Sequence, residues 1–259
     1  MERDFVNRTG AAVVVGAGGG IGAAICGMLA ERGADLAVSY RNGAAATEAV
    51  AESARVEHGR RARAWQVDLT DADAVAAFVD AAAEEFGGVH TVVYAAGPHV
   101  PMLHLSRVTP AQYREQLDGD AAAFFNLVHP SLPHLRKAGN GSLVAVTTAA
   151  TSRFPVRDGL SSCTKGAVEA VVRGIAAEEG RFGVRANAVG PGMLTDGMAA
   201  RLIDSGDLDE RALDVAKRNI PLRRFGAARD IAEAVCFLAS DRAGFISGQK
   251  LDVDGGYGV

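Results

Sequence analysis

The stretch VVVGAGGGIG, residues 13–22, decides the fold of this chain. Its three valines predict a buried strand, and Gly16, Gly20 and Gly22 separate that strand from a helical pattern that ends at Gly33. Glycine permits a tight turn, lets the backbone approach a pyrophosphate, and allows a helix to pack closely on a sheet. The helix N-terminus adds free N–H groups and partial positive charge. The strand–loop–helix context predicts a dinucleotide-binding βαβ unit; the alternative is a glycine-rich turn without a ligand.

Short apolar runs alternate with Ala-rich helical segments along the whole chain. The predicted strands are 11–16, 34–40, 61–69, 90–97, 141–148, 184–190 and 249–256. Near-continuous apolar strands alternating with amphipathic helices indicate a parallel sheet covered on both faces. We therefore predict one α/β domain over residues 1–259, with a doubly wound parallel sheet of about seven strands. A cofactor half would span about 10–100, and a catalytic and substrate half about 100–259.

Two segments depart from this alternation. Residues 119–138 have a helical pattern but contain Pro130 and Pro133. Because interior proline costs a helix about 3 kcal/mol, the sequence predicts a kink or a break there. Residues 193–218 are rich in Met, Ala and charge, with few strand signals, which predicts a mobile helical lid.

The bulk composition is that of a core-forming globular protein. Hydrophobic residues make up 48% and charged residues 22% of 259 residues, and the formal charge is −4. This balance favours neither nucleic acid nor a membrane surface as a partner. The N-terminus has no apolar signal segment, and no apolar run reaches the roughly 18 residues of a membrane span, so we expect a cytoplasmic protein. Cys26, Cys163 and Cys236 lack metal or redox spacing and are predicted to be reduced, buried thiols.

The end of the second strand indicates which dinucleotide is bound. An acidic residue there would bind the adenine ribose hydroxyls, but this chain has Tyr40 followed by Arg41. A guanidinium can pair with a 2′-phosphate and stack on adenine, which favours NADPH. The alternative is a surface arginine without a ligand. Asp68, after the third strand, could accept a hydrogen bond from the adenine amino group or cap the following helix.

The sequence resembles the short-chain dehydrogenase/reductase family over nearly its whole length. Gly16, Gly20 and Gly22 match the family's G-x-x-x-G-x-G, residues 94–97 stand at its N-N-A-G, and residues 187–192 are similar to its N-A-x-x-P-G. Residues 221–257 are very similar to the same region of 3-oxoacyl-ACP reductases. The resemblance implies a Rossmann fold and a nicotinamide-dependent oxidoreductase. The cofactor-binding residues implied in this way are Gly16, Gly20, Ile21, Gly22, Tyr40, Arg41, Asp68, Leu69, Ala95, Ala96, Gly97, Lys165, Pro191, Gly192, Leu194 and Thr195.

The catalytic residues depart from the family pattern. The family carries Asn, Ser, Tyr and Lys: tyrosine protonates the carbonyl oxygen, lysine lowers the pKa of that tyrosine and holds the nicotinamide ribose, serine orients the substrate, and asparagine helps to hold a water relay. Lys165 matches the lysine, but Ser161 stands at the tyrosine position, Thr148 at the serine and Asp120 at the asparagine. Tyr94 also replaces the first asparagine of N-N-A-G.

These substitutions change the predicted chemistry. A phenol has a pKa near 10 that a neighbouring ammonium can lower, whereas an aliphatic hydroxyl is far less acidic and shorter. Losing a positioned general acid costs about 10²–10⁴ in rate. Thr148 keeps a hydroxyl donor for an oxyanion. The sequence therefore predicts an intact hydride-donor site from which the usual proton donor has been removed.

Three functions remain open. The first is carbonyl reduction with another donor, for which His99, Tyr94 and Tyr257 are candidates. The second is hydride transfer to a conjugated C=C bond. It resembles the 2,4-dienoyl-CoA reductases, which also carry serine four residues before the lysine but have tyrosine where this chain has Ala150. The third is NADPH binding without turnover.

The resemblance also bears on assembly and substrate. It implies that helices around 119–138 and 161–180, rich in small residues, pair across a dimer face, and that the C-terminal strand builds a tetramer. The substrate would be a small molecule, held by loops within 97–107, 149–160 and 193–218. Arg153, Arg157 and His104 in these loops suggest a polar or anionic ligand.

Overall fold

Seven parallel strands form one sheet in the order β3-β2-β1-β4-β5-β6-β7. The computed structural model describes residues 3–195, 214, 215 and 217–259. The strands are β1 Ala11–Val15, β2 Asp35–Tyr40, β3 Ala62–Gln66, β4 Val89–Tyr94, β5 Ser142–Val146, β6 Arg185–Pro191 and β7 Lys250–Val253. The chain runs outward from β1 in one direction and from β4 in the other. The carboxyl ends of these two strands therefore border a crevice, which is where open α/β sheets bind ligands.

Helices cover both faces of the sheet, as predicted. They are α1 Gly20–Glu31, α2 Ala44–Val56, α3 Ala72–Phe86, α4 Pro110–Leu117, α5 Ala123–Ala138, α6 Gly159–Glu179 and α7 Ala228–Ala239. Alternate residues of β1 enter different cores: Val14 packs in a cluster with residues of α1 and α7, and Val13 in a cluster with residues of α3, α5 and α6. The predicted single-domain, doubly wound α/β fold is confirmed.

The N-terminus of α3 corrects one alternative for Asp68. The carboxylate of Asp71, not Asp68, caps this helix by accepting the N–H of Ala74 at 3.0 Å. Asp68 instead accepts the N–H of Thr70 at 3.0 Å and its hydroxyl at 2.8 Å, and so closes the turn before the cap. One oxygen of Asp68 remains without a protein partner among the described residues.

The predicted break at the prolines is wrong. Helix α5 runs without interruption from Ala123 to Ala138 through Pro130 and Pro133. Each proline leaves one carbonyl without its helical partner, those of Asn126 and His129. Asn126 is half-buried and His129 exposed, so water can hydrate these carbonyls. The irregularity lies just before α5, where Asp118–Ala122 form a π-helical turn.

The structure also bears on the predicted cysteine burial, on the absence of a membrane span and on the predicted lid. All three cysteines are free; Cys26 and Cys236 are buried as predicted, but Cys163 is only half-buried. Within the described ranges, the structure contains no helix with the length and hydropathy needed to cross a bilayer. The predicted lid, 193–218, falls largely on residues 196–213 and 216, which lie outside the described residues.

Candidate active site

The glycine loop forms an open cradle between β1 and α1. Gly16 has a φ of +80°, and a Cβ there would lie 2.5 Å from the carbonyl oxygen of Ala95. A Cβ on Gly22 would collide with the carbonyl oxygen of Gly16. Helix α1 begins after Gly19 without a side-chain cap, and in the described structure its first N–H groups have no acceptor. Unpaired amides at a helix N-terminus, with no side chain in front of them, fit the pyrophosphate of a dinucleotide.

The residues predicted to hold the adenosine lie at the rim of the same edge. Tyr40 ends β2, and Arg41 is exposed directly after it, with no ion pair to any described residue. The hydrogen bonds from Thr70, more than the nearby Arg41 charge, lower the pKa of Asp68. The carbonyl of Leu69 accepts the side-chain amide of Asn126 at 2.9 Å, which fixes this loop to α5. The free guanidinium at the end of β2 is available for an anion.

The segment after β4 forms the floor beneath Lys165 on α6. The N–H of Ala95 bonds to the carbonyl of Val15 at 3.1 Å, and the carbonyl of Ala96 accepts the ammonium of Lys165 at 3.4 Å. A Cβ on Gly97 would lie 3.3 Å from the Nζ atom of Lys165. Three predicted cofactor residues and the lysine therefore meet at the carboxyl end of β4.

Asp120 holds Lys165 directly. The ammonium lies 2.8 Å from Oδ1 of Asp120, whose exposure is 1%. The hydroxyl of Thr164 donates to Oδ2 at 2.8 Å, and the phenol of Tyr94 donates to Oδ1 at 3.0 Å. The π-helical turn between α4 and α5 carries Asp120 to this position; such turns are frequent at functional sites. A buried carboxylate with three donors, one of them an ammonium, is well compensated.

Tyr94 belongs to this buried network and does not face the cleft. Its side chain is fully buried, and its hydroxyl donates to both Oδ1 and the carbonyl oxygen of Asp120 at 3.0 Å. Burial, with the Asp120 charge second, raises the pKa of Tyr94 well above its usual value. The Lys165 ammonium lies 5.1 Å from the ring centroid. These contacts argue against Tyr94 as a proton donor to a substrate.

The remaining predicted side chains differ in burial and in hydrogen bonding. Ser161 is half-buried one helical turn before Lys165, and its hydroxyl has no hydrogen-bond partner among the described residues. Thr148, directly after β5, accepts the N–H of Ala150 at 3.1 Å, which leaves its hydroxyl proton for another acceptor. His99 is exposed. Tyr257 is half-buried, with the Arg153 guanidinium 4.7 Å from its ring centroid.

The segment after β6 closes the other side of the cleft. Pro191 ends β6, and the N–H of Gly192 bonds to the carbonyl of Val253 at 3.0 Å. Leu194 pairs with Gly226, whose carbonyl also accepts the N–H of Thr195 at 2.8 Å. The second group of predicted cofactor residues is thus fixed by backbone bonds to β7 and to the segment before α7.

Sequence reasoning brought Asp120 and Lys165 to one site but missed their direct ion pair and the part of Thr164. The sequence contained a signal for it. Tyr94 and Asp120 both stand where the resemblance implies asparagine, and a phenol and a carboxylate are complementary as hydrogen-bond donor and acceptor. The sequence pattern therefore indicates that the two side chains form a pair.

Comparison with known proteins agrees with this geometry. Residues 16–258 match the family model described as Enoyl-(Acyl carrier protein) reductase. The chain is 37% identical to cis-4-hydroxycyclohexanecarboxylate dehydrogenase of Sinomonas cyclohexanicum, covering 99% of both proteins. It is 36% identical to versicolorin reductase stcU of Emericella nidulans, over 95% of this chain and 94% of that protein. A short-chain dehydrogenase from Burkholderia cenocepacia in complex with NADP is 30% identical with a TM-score of 0.87, over 98% and 100% of the chains.

The fold and these relatives define an oxidoreductase built on a single Rossmann-like domain. The chain belongs to the short-chain dehydrogenase/reductase family.

Proposed function

We propose that this protein is an NADPH-dependent reductase of a small-molecule carbonyl group, with a proton donor other than a tyrosine at position 161. The observation that carries the proposal is the position of Lys165. Its ammonium is held by Asp120 and by the carbonyl of Ala96 at the carboxyl end of β4, beside the open glycine cradle. Relatives named as a hydroxyacid dehydrogenase and a reductase support chemistry between an alcohol and a carbonyl.

The cofactor site follows from the cradle and its rim. The first N–H groups of α1 would bind the pyrophosphate, Arg41 the 2′-phosphate, and Lys165 the nicotinamide ribose. The remaining predicted cofactor residues would form the walls. Bound NADPH supplies a hydride. The relative from Burkholderia cenocepacia, solved with NADP, supports this choice of dinucleotide.

The residues of the chain would orient the substrate and the ammonium. Thr148 has a hydroxyl proton free to donate to a developing oxyanion. Asp120 compensates the charge of Lys165 and, with Thr164 and Tyr94, holds the ammonium in one place. Lys165 would therefore be an anchor for the ribose, and the phenol of Tyr94 is buried and engaged with Asp120.

A second candidate function is reduction of a conjugated C=C bond. Two observations favour it: Ser161 at the tyrosine position, and the description of the matched family model as an enoyl reductase. In that reaction the carbonyl oxygen of an enone or thioester needs hydrogen bonds, which Thr148 and Ser161 could donate, and water can protonate carbon.

A substrate panel separates these candidates. Purified protein with NADPH is mixed with ketones, β-ketothioesters and enones, and the nicotinamide absorbance is followed. Carbonyl reduction predicts oxidation with the first two classes, and C=C reduction predicts oxidation with enones alone. Tight NADPH binding without oxidation by any class would leave a cofactor-binding protein without turnover.

Position 161 offers a direct test of the missing phenol. We expect Ser161→Tyr to raise carbonyl reduction, because the variant adds a positioned general acid beside Lys165 to the donor that the wild type uses. Ser161→Phe is the matched control, since it fills the same volume without a hydroxyl and should bring no gain. Equal rates for the two variants would show that the substrate carbonyl does not lie near this residue.

We also propose that the protein is cytoplasmic and forms a dimer or tetramer. The resemblance places the dimer contact on α5 and α6, and Phe125 on α5 is 49% exposed in the single chain. Gel filtration should give an apparent mass well above the 26.8 kDa of one chain. Elution at the monomer mass would contradict the assembly.

A further inference from the structure

We propose that the carboxyl group of Asp158 is the proton donor that replaces the missing phenol, and this inference rests on the proposed carbonyl reduction. Asp158 precedes α6, the helix that carries Ser161 and Lys165. It is the N-cap residue of that helix, yet its carboxylate makes no capping hydrogen bond. Asp158 forms no side-chain hydrogen bond or ion pair with another described residue.

Helical spacing places Asp158 in line with the catalytic positions. Residues 158, 161 and 165 are separated by three and then four positions, so they share one face of α6. The same stripe continues into Val168 and Val172, which are 0% and 1% exposed. This face is therefore the one that α6 turns towards the sheet, and Asp158 stands where the stripe emerges beyond the carboxyl edge of the strands.

The direction of helical side chains brings Asp158 to the site of the missing hydroxyl. A long side chain on a helix leans towards the N-terminus and covers the turn before its own Cα. A tyrosine at position 161 would thus extend over the turn that Asp158 begins, about 4.5 Å further along the helix axis. The short side chain of Ser161 leaves this space open, and the carboxyl group of Asp158 lies next to it.

The surroundings of Asp158 favour the protonated acid. The residue is half-buried, and burial raises its pKa to about 6. Arg157 directly precedes Asp158, while His104 and Arg107 line a small surface cavity together with Arg157, and none of the three forms an ion pair with Asp158. A general acid works best when its pKa is near the operating pH, which a carboxyl group at about 6 approaches far better than a serine hydroxyl.

The loop before α6 is strained at Arg157, which directly precedes Asp158. Arg157 has a φ of +77°, the left-handed region that non-glycine residues rarely adopt. Its Nε–H bonds to the carbonyl of Met102 at 3.1 Å, which ties this loop to the opposite wall of the cleft. On the other side, Gly159 packs against Leu105 so closely that a Cβ would lie 2.7 Å from the Leu105 side chain. Such strain concentrates at functional sites, and here both flanking residues are fixed while Asp158 remains unpaired.

The proposed step is balanced. NADPH would supply the hydride and be oxidised to NADP⁺, the carbonyl carbon would accept that hydride as the C=O π electrons move to oxygen, and the carboxylic proton of Asp158 would pass to that oxygen to form the alcohol. Asp158 becomes a carboxylate and regains a proton from solvent, which its partial exposure permits. Lys165 takes no part in this proton transfer and remains paired with the Asp120 carboxylate.

A double-mutant cycle tests this role. Asp158→Asn should lower the single-turnover rate of carbonyl reduction by about 10²–10⁴-fold without changing NADPH affinity. In a Ser161→Tyr background the same substitution should cost less than about tenfold, because the phenol supplies the proton. The wild-type rate should fall as the pH rises through about 6, and Asp158→Asn should lose that dependence. Asp73→Asn, a change of one exposed carboxylate on α3, is the matched control and should leave the rate unchanged.

The outcomes separate this inference from the function on which it rests. Wild-type turnover with an unchanged rate in Asp158→Asn would overturn the donor and leave the carbonyl reductase standing. NADPH binding without oxidation by any carbonyl would overturn both. Carbon-13 NMR of labelled aspartate gives an answer that needs no turnover: Asp158 should titrate near pH 6, and an ordinary value near 3.9 would contradict the proposal.

Discussion

The proposed cofactor site and the proposed catalytic site of this molecule are built from different atoms. Around β1, Gly16, Gly20 and Gly22 form a backbone cradle. Around β4, β5 and α6, the resemblance predicts that only Lys165 keeps the family's residue, while the chain has the family's fold. The two sites differ in which atoms would carry their function. Backbone atoms would bind the cofactor in the first region, whereas side chains would carry out the chemistry in the second.

Sterics explain why the two halves differ. A Cβ at Gly22 would meet the backbone of the loop, which cannot move without losing the strand–helix junction. At position 161 the side chain is half-buried at the edge of a cleft, so exchanging phenol for hydroxymethyl leaves the helix intact. Side-chain chemistry can therefore change in the catalytic half at little cost to the fold, provided that buried charges stay paired.

Breaking a buried charge pair should have the largest expected effect on the free energy of unfolding. Lys165→Met should destabilise the protein by about 3–5 kcal/mol, because the substitution leaves the Asp120 carboxylate buried without its ammonium. Adding Asp120→Asn should recover most of this loss, since the neutral amide needs no ammonium: its oxygen can accept from one of the Thr164 and Tyr94 hydroxyls, and its NH2 group can donate to the other. Urea unfolding of the wild type, both single variants and the double variant measures the coupling. Additive effects would show that the two groups do not form a buried pair.

A substitution in the glycine cradle should lower the affinity for NADPH. Gly22→Ala should weaken NADPH binding, at an overpacking cost of about 1–3 kcal/mol or roughly 10–100-fold in Kd, because the new methyl group collides with the carbonyl of Gly16. Gly27→Ala on the same helix is the matched control. A Cβ there meets nothing within 4 Å, so that variant should bind normally and gain helix stability. Equal affinities for the two variants would mean that the close approach is not required.

The same contrast explains what the sequence could predict. Strand runs, helical patterns and the glycine loop are local patterns, so the fold and the position of Gly16 between β1 and α1 followed from them. The Asp120–Tyr94 contact joins residues 26 positions apart through a π-helical turn, which no local pattern specifies. The predicted helix break at Pro130 and Pro133 failed for a related reason. The free-energy cost of these prolines in α5 depends on whether water reaches two carbonyl groups, which is a tertiary property.

A substitution of Arg41 at the end of β2 should have a smaller effect on the preference for NADPH over NADH. Arg41→Ala should weaken NADPH binding by about tenfold, close to 1.4 kcal/mol, because an exposed guanidinium adds a charge-assisted hydrogen bond to the 2′-phosphate. NADH is the internal control, since it lacks that phosphate and should bind equally to both proteins. A parallel loss of NADH affinity would instead assign Arg41 to adenine stacking. Titration of intrinsic and nicotinamide fluorescence measures both constants.

The smallest effect is a gain in stability at the proposed proton donor. The pKa of Asp158 rises from 3.8 to about 6 on folding, so the folded state binds more protons than the unfolded state between these values. The stability that this group contributes is therefore lost as the pH rises from about 4 to 6. At pH 7 the half-buried carboxylate destabilises the folded state. Asp158→Asn should raise the free energy of unfolding at pH 7 by about 1 kcal/mol, after allowance for partial exposure, and by nothing at pH 3.5.

This last comparison separates a functional residue from a structural one. An aspartate kept at a helix N-terminus for stability would cap the helix, and its replacement by asparagine would leave stability nearly unchanged at every pH. Asp158 makes no cap, and its carboxylate costs free energy where it stands. If chemical unfolding shows a pH-dependent gain in Asp158→Asn together with a loss of rate, the carboxyl group is retained for its chemistry. A loss of stability at pH 7 would instead assign it to the fold.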